Sequence, residues 1–269
     1  MRRNRPGGRL NRPLRLVAAL IVLLTAACQS TPEPVFEEVP PADELFAEGE
    51  KVLEGRYILF VYHRVDYSRA IEIFQSIIDN YPYSEYAVDA ELRIADAYFS
   101  DGKFEEALSY YRDFADLHPD HEKVPYTIFR SALCHESQLE SIERDQTATR
   151  SALVFLDRLL VRYPHSEYAR EAEPMWRSLQ VHLAENSESV ADFYRDRGEY
   201  EAAAERYRNI LNDHPGLGLD ARVLFKLGEC YASLRRYDEA DRIYRTLVAH
   251  YADSTFAFEA QQRLASNFD

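Results

Sequence analysis

Two histidines in the stretch HPDH, His118 and His121, lie three residues apart, close enough for both imidazoles to reach one metal ion. Turn residues explain them equally well. Three further histidines, His165, His214 and His250, recur beside the ends of apolar-periodic segments, where imidazole suits the negative end of a helix. The thiols Cys134 and Cys230 invite disulfide or redox chemistry, but each falls on an apolar helical stripe, where cysteine behaves as a small hydrophobe. They belong to separate helical units, and layers packed ~8 to 10 Å apart put them beyond the ~7 Å Cα separation that a bridge tolerates. No G-x-S-x-G, H-E-x-x-H or Gly-rich phosphate loop occurs in the chain. The expectation is a binding protein and not an enzyme, with no catalytic residue, no metal and no cofactor.

Cys28 stands in a different setting. Six arginines without one acid precede the uncharged run from Leu16 to Ala27, a basic segment followed by an apolar stretch too short to span a bilayer. This is a secretory leader, residues 1–27, and it is set aside from fold reasoning. Its end, LLTAACQS, resembles a bacterial lipobox, with Thr25 where Leu is usual. The resemblance implies that Cys28 is acylated and becomes the first mature residue, so the protein is joined to the membrane through lipid. Gln29 in the next position, by the same resemblance, implies the outer membrane. Removing the leader takes the formal charge from −14 to −20. Such acidity excludes nucleic acid as a natural partner and disfavours adhesion to anionic lipid through the protein surface. Protein partners remain.

The elements that position these residues are helical. Residues 28–42 form a Pro-rich acidic tether with little to bury. From Asp43 the apolar residues follow helical spacing. YPYSEYA at 81–87 returns as YPHSEYA at 163–169, and around both copies a longer rhythm repeats: Ala70, Phe74, Pro82; Ala107, Tyr111, Pro119; Ala152, Leu156, Pro164; Ala203, Tyr207, Pro215. Ala240, Tyr244 and Ala252 keep the spacing without the Pro. A small residue lets two helices approach, an aromatic one turn later fills the space between them, and Pro ends the helix. With Leu227, Gly228 and Tyr231 upstream of Tyr237 and Ala240, this is the tetratricopeptide pattern. The expected fold is an all-α solenoid of five tetratricopeptide repeats over residues 43–269. The repeats lie near 43–82, 83–119, 120–164, 165–215 and 216–252, and a capping helix covers 253–269. The recurring heptad is then a turn in which Pro ends one helix and Ser84 or Ser166 caps the next.

Three irregularities interrupt the rhythm. GRYILFVYHRV at 55–65 either lengthens the first helix or forms a flap. ESIERDQTATR is a polar excursion inside the third repeat. The fourth repeat has a long first helix, from about Glu167 to Arg197, which Pro174 kinks or delays. In tetratricopeptide arrays the first helix of each pair lines the concave surface. The inward positions are Asp89, Leu92, Asp96 and Phe99 in the second repeat and Tyr126, Phe129, Leu133 and Glu136 in the third. This half reads as an apolar, aromatic peptide groove, unless the insertion or a neighbouring helix fills it. In the fourth repeat Glu185, Glu188, Asp192 and Arg195 take those places, and the groove is expected to turn acidic.

The tether after Cys28, the five repeats, YPYSEYAVDAELRIADAYF, ERDQTATRSALVFLDRLLVRYPHSEYAREA and SVADFYRDRGEYEAAAERYRNIL together resemble the BamD family, lipoprotein subunits of the outer-membrane β-barrel assembly machinery. The RDQ of the excursion is the most specific of these features. The insertion at 55–65 departs from the family. The resemblance implies a lipid-anchored scaffold on the periplasmic face of the outer membrane. It would dock on the periplasmic domains of the barrel-forming subunit, sit beside other accessory lipoproteins and help recognise unfolded outer-membrane protein segments. Leu92, Asp96, Phe99, Tyr126, Phe129 and Leu133 would form the substrate groove, and Asp196, Arg197 and Arg206 match a charged cluster on the partner side. The competing reading is another tetratricopeptide lipoprotein, a secretin pilot or a cell-envelope and division coordinator. The coiled-coil segment that would favour the coordinator is not seen before the repeats.

Overall fold

A computed structural model describes residues 39–58 and 62–266. The leader, Cys28, most of the tether and the middle of the insertion lie outside the described residues. Among the described residues the chain forms α1 (Ala42–Glu54), α2 (Tyr67–Asn80), α3 (Glu85–Ser100), α4 (Phe104–Leu117), α5 (Val124–Glu136), α6 (Thr147–Arg162), α7 (Glu167–Asp196), α8 (Tyr200–Asp213), α9 (Asp220–Ser233), α10 (Tyr237–His250) and α11 (Thr255–Ala265). Each helix packs on its sequence neighbour. The result is an all-α solenoid of tetratricopeptide helix pairs, α1–α2 to α9–α10, with α11 packed over the last pair.

The small-then-aromatic rhythm explains the layers. Ala70, Phe74, Ala107, Tyr111, Ala152, Leu156, Ala203, Tyr207, Ala240 and Tyr244 all have no exposed surface. Opposite each ring or leucine the first helix of the pair carries Gly49, Ala95, Ala132, Ala191 or Gly228, all buried. The fit is tightest at the glycines. A Cβ at Gly49 would stand 2.6 Å from the Phe74 ring, and one at Gly228 would stand 2.5 Å from that of Tyr244.

Second helices end alike. Tyr81, His118, Tyr163 and His214 precede Pro82, Pro119, Pro164 and Pro215 and take φ between −124° and −135°, the extended region that a following proline imposes. Tyr251 has no proline after it and still adopts φ −133°, with its N–H bonded to the Leu247 carbonyl at 2.9 Å, so this ending does not depend on proline. Ser166 and Ser254 then cap the next helices, each hydroxyl accepting an N–H at 3.1 Å. Ser84 does not behave as the sequence predicts. It occupies the cap position with extended backbone, but its buried hydroxyl has no partner.

The irregularities resolve individually. The insertion is a flap and not a longer helix, a hairpin of β1 (Arg56–Ile58) and β2 (Tyr62–Arg64). The excursion folds around Gln146, 4% exposed. Its amide donates to the carbonyls of Ser141 and Arg144, each at 3.1 Å, and its oxygen accepts from the Thr149 hydroxyl at 2.9 Å. Asn186 of α7 reaches the Ile142 carbonyl at 2.5 Å. Helix α7 starts at Glu167 without delay and runs 30 residues through Pro174.

Candidate functional site

Asp96 on α3 organises the N-terminal half of the surface lined by first helices. It accepts hydrogen bonds from Tyr111 of α4 at 2.6 Å and Tyr126 of α5 at 2.5 Å. Arg130 donates its Nε–H to the Tyr111 oxygen at 3.0 Å and lays its guanidinium 3.7 Å from the Phe99 ring centre, a cation–π stack. Burial raises both tyrosine pKa values above the ordinary phenol range, and the neighbouring Asp96 charge raises them further. These hydroxyls therefore keep their protons and act as fixed donors. Three helices are pinned to one carboxylate.

Beside this hub opens a cavity of about 380 Å³ lined by Phe46 of α1, Asp89, Leu92, Arg93 and Asp96 of α3, Lys123 and Tyr126 at the start of α5, and Tyr168 of α7. Arg93 bridges to Glu50 of α1 at 2.8 Å. Tyr126 and Tyr168 meet edge to face with ring centres 5.5 Å apart. Rings, an aliphatic floor and charges of both signs suit a peptide side chain and its backbone.

The predicted groove residues divide. Leu92, Asp96 and Tyr126 line the cavity. Phe129 is 8% exposed, a core residue packed towards Tyr168, so it supports the wall and is not itself the surface. Phe99 lies beneath Arg130 and against Phe104, ring centres 5.2 Å apart. Leu133 is half-buried against the core of the second and third pairs. Asp89 and Glu136 are exposed. Phe46, Arg93, Lys123 and Tyr168 went unforeseen. Tyr168 holds the same heptad place as Tyr86, which packs on Phe46 at 5.4 Å, and the sequence alone does not separate the two fates.

The fourth-repeat groove is not acidic as expected. Glu188, 4% exposed, is gripped by Arg222 at 2.6 Å and Lys226 at 2.7 Å from α9, and Lys226 also bonds Asp192 at 2.7 Å. Tyr207 donates to Asp192 at 2.5 Å, and Arg195 lies 3.0 Å from it. Burial pushes the Asp192 carboxyl up, but the bonds from Lys226 and Tyr207 outweigh burial and leave it below the usual carboxylate value. The cations come from the following repeat, which is why a one-repeat reading missed them. Beyond this network lies an exposed patch. Arg197 stacks 5.1 Å from the centre of Phe193, which is 55% exposed, and Arg206 stacks 4.7 Å from Tyr194. Asp196 is held by Arg195 at 2.9 Å. All three predicted partner residues, Asp196, Arg197 and Arg206, are exposed.

His118 and His121 have local engagements. His118 bonds Glu91 at 2.9 Å, and His121 accepts the Lys123 N–H at 3.1 Å. Their ring centres stand 6.5 Å apart. Cys134 and Cys230 are free and buried in different helix pairs, and burial pushes each thiol up to about 12.

The profile of the family YfiO, described as "Outer membrane lipoprotein", matches residues 59–245. The chain is 26% identical over 260 residues to the outer membrane protein assembly factor BamD of Caulobacter vibrioides, covering 95% of this chain and 82% of the relative. It is 27% identical over 237 residues to the protein of that name from Vibrio cholerae, covering 84% and 94%. With the protein of that name from Rickettsia prowazekii the figures are 25% over 256 residues, covering 94% and 98%. Among solved structures, the TPR2AB domain of yeast Sti1 aligns with a TM-score of 0.42 at 16% identity, covering 84% of each chain. A thermophilic TPR protein from Thermus thermophilus aligns with a TM-score of 0.32 at 17% identity, covering 84% of this chain and 98% of that one.

Proposed function

The chain belongs to the YfiO family of outer membrane lipoproteins, and from that membership we propose that it is an outer-membrane protein assembly factor, a scaffold that binds and does not catalyse. Its relatives of known name are assembly factors matched over most of their length. No comparison favours a secretin pilot or a division coordinator. In this reading acylated Cys28 holds the chain on the periplasmic face of the outer membrane. The cavity between Phe46, Tyr126 and Tyr168 receives an extended segment of an unfolded outer-membrane protein. The Phe193–Arg206 patch meets the periplasmic domains of the barrel-forming subunit, with other accessory lipoproteins alongside.

The observation that carries the substrate role is the cavity itself. A barrel strand presents apolar and aromatic side chains on alternate residues, and a concave wall of rings with charged groups at its mouth complements such a strand. Two titrations on two variants test the division of labour. Tyr126→Ala with Tyr168→Ala should weaken binding of a barrel-strand peptide by ~1–3 kcal/mol per anchor and leave the subunit contact intact. Arg197→Glu with Arg206→Glu should do the reverse. Unchanged peptide affinity in a folded Tyr126→Ala, Tyr168→Ala protein would sink the groove assignment. For the anchor, Cys28→Ser should move the protein out of the membrane fraction, and continued fractionation as an acylated protein would contradict it.

A further inference from the structure

The hairpin places two arginines where elementary electrostatics disfavours them. Arg56 stands directly across the ribbon from Arg64, and such cross-strand partners share one face with Cβ atoms about 5 Å apart, where like charges destabilise. Both side chains are exposed, and among the described residues neither takes part in an ion pair or hydrogen bond. The ribbon's base is fixed. Gly55 has φ +69°, and a Cβ there would lie 2.8 Å from both the Arg64 carbonyl oxygen and His63 Nε2. His63 donates from Nε2 to the Glu54 carbonyl at 2.8 Å, tying β2 to the end of α1.

Between this base and the helices α1 and α2 is a cavity of about 650 Å³ whose wall includes Lys51, Arg56, Arg64 and Arg69 together with Glu48, Glu54 and Asp66. Glu48 lies 3.5 Å from the Arg69 guanidinium, which also meets Glu72 at 3.4 Å, and Asp66 accepts the backbone N–H of Arg69 at 3.1 Å and keeps its charge. Four cations, Lys51, Arg56, Arg64 and Arg69, line the cavity with three carboxylates, Glu48, Glu54 and Asp66. A local excess of positive charge thus stands on a chain whose formal charge is −14.

We propose that the hairpin base is a binding site for a phosphate group, held between the guanidinium forks of Arg56 and Arg64 with Lys51 beside them. A bound dianion turns the repulsion of the pair into attraction. Two planar forks can each take two oxygens, and a tetrahedral phosphate presents enough acceptor directions for both, whereas one carboxylate has only two oxygens to share. Phosphomonoester lipid headgroups and soluble phosphate have this chemistry in common, whereas a phosphodiester headgroup is a monoanion with two free oxygens.

The test uses the Cys28→Ser chain, so that no acyl group contributes, and it stands apart from the assembly role. Melting is followed in phosphate-free buffer with added inorganic phosphate or with sodium chloride of equal ionic strength. Binding to phosphatidic acid vesicles, whose headgroup is a phosphomonoester, is measured against phosphatidylglycerol vesicles, whose headgroup is a monoanionic diester. Phosphate should raise the melting temperature above the chloride control, and Arg56→Gln with Arg64→Gln should abolish the gain and weaken phosphate binding roughly ten-fold or more. Without phosphate the double variant should melt close to the parent, because the exposed arginines hold no ion pair among the described residues and their mutual repulsion offsets any longer-range attraction to the nearby carboxylates. Arginine-dependent vesicle binding beyond that expected from free phosphate assigns the lipid as source, and its absence assigns the soluble ion. The proposal fails if chloride matches phosphate, if the double variant keeps the gain, or if a glutamate-rich peptide occupies the site as tightly as phosphate.

Discussion

The second and fourth repeats use one device for opposite ends. In both, a buried tyrosine of the second helix donates to an aspartate fifteen residues earlier on the first: Tyr111 to Asp96 and Tyr207 to Asp192. Around Asp96 the following repeat contributes Tyr126 and Arg130, and a cavity remains open beside them. Around Asp192 and Glu188 the following repeat contributes Lys226 and Arg222, and the inward face is closed by ion pairs. The third repeat dispenses with the device, having Leu156 and Leu133 at these places. Identical register positions therefore border either an open cavity or a weld, and the next repeat's first helix decides which.

The comparison breaks most directly at Glu188. Its removal strands two cations, a loss of ~3–5 kcal/mol for a fully buried pair. Arg222 still reaches water, so Glu188→Ala should cost about 2–3 kcal/mol, seen as a lower urea midpoint. Peptide affinity at the Phe46–Tyr168 cavity should not change, and a parallel loss in folded protein would show that the halves are not separable. Tyr111→Phe should cost about 2 kcal/mol, because it takes a donor from Asp96 and an acceptor from Arg130. Tyr207→Phe should cost about 1 kcal/mol, since Lys226 and Arg195 still serve Asp192. Equal losses would mean the surrounding cations do not matter.

Acid sharpens the contrast. The folded-state pKa of Asp192 is depressed, so its contribution is present above the unfolded aspartate value near ~4 and is lost as pH falls through the folded value. Asp192→Asn should flatten that part of the stability–pH curve below about pH 4, measured by melts in acid. The smallest effect is expected at the thiols. With both pushed up to about 12 and buried, Cys134 and Cys230 should resist a thiol reagent in native protein at neutral pH and react once it is denatured. Labelling of one thiol in native protein would mark its helix pair as loosely packed.

The fold was legible because each repeat states its own packing. Ala203 and Tyr207, or Ala240 and Tyr244, carry their meaning within one helix, and the small residues opposite them, Ala191 and Gly228, complete it. Sites were less legible because their partners come from the next repeat. Glu188 reads as an acidic surface until Arg222 and Lys226, more than thirty residues on, are placed beside it. Phe129 reads as a groove ring until Tyr168 covers it. Gln146 was visible as part of a motif, but its work of closing a loop through three carbonyls needs coordinates. The hairpin stayed undecided because Tyr and Ile suit strand and buried helix alike.

Helix α7 begins beside the cavity with Tyr168 and ends beneath the exposed patch with Phe193 and Tyr194, and at 1.5 Å per residue it spans roughly 45 Å. Its first turns pack on α6 and its last on α8, so one long arm is shared by two layers. A rigid rod of that length swung by about 5° at one end travels roughly 4 Å at the other, enough to move a stacked guanidinium off its ring. Pro174 lacks an N–H and leaves one carbonyl of the preceding turn unbonded. That is the point where the arm would flex first and absorb such a swing before it is transmitted.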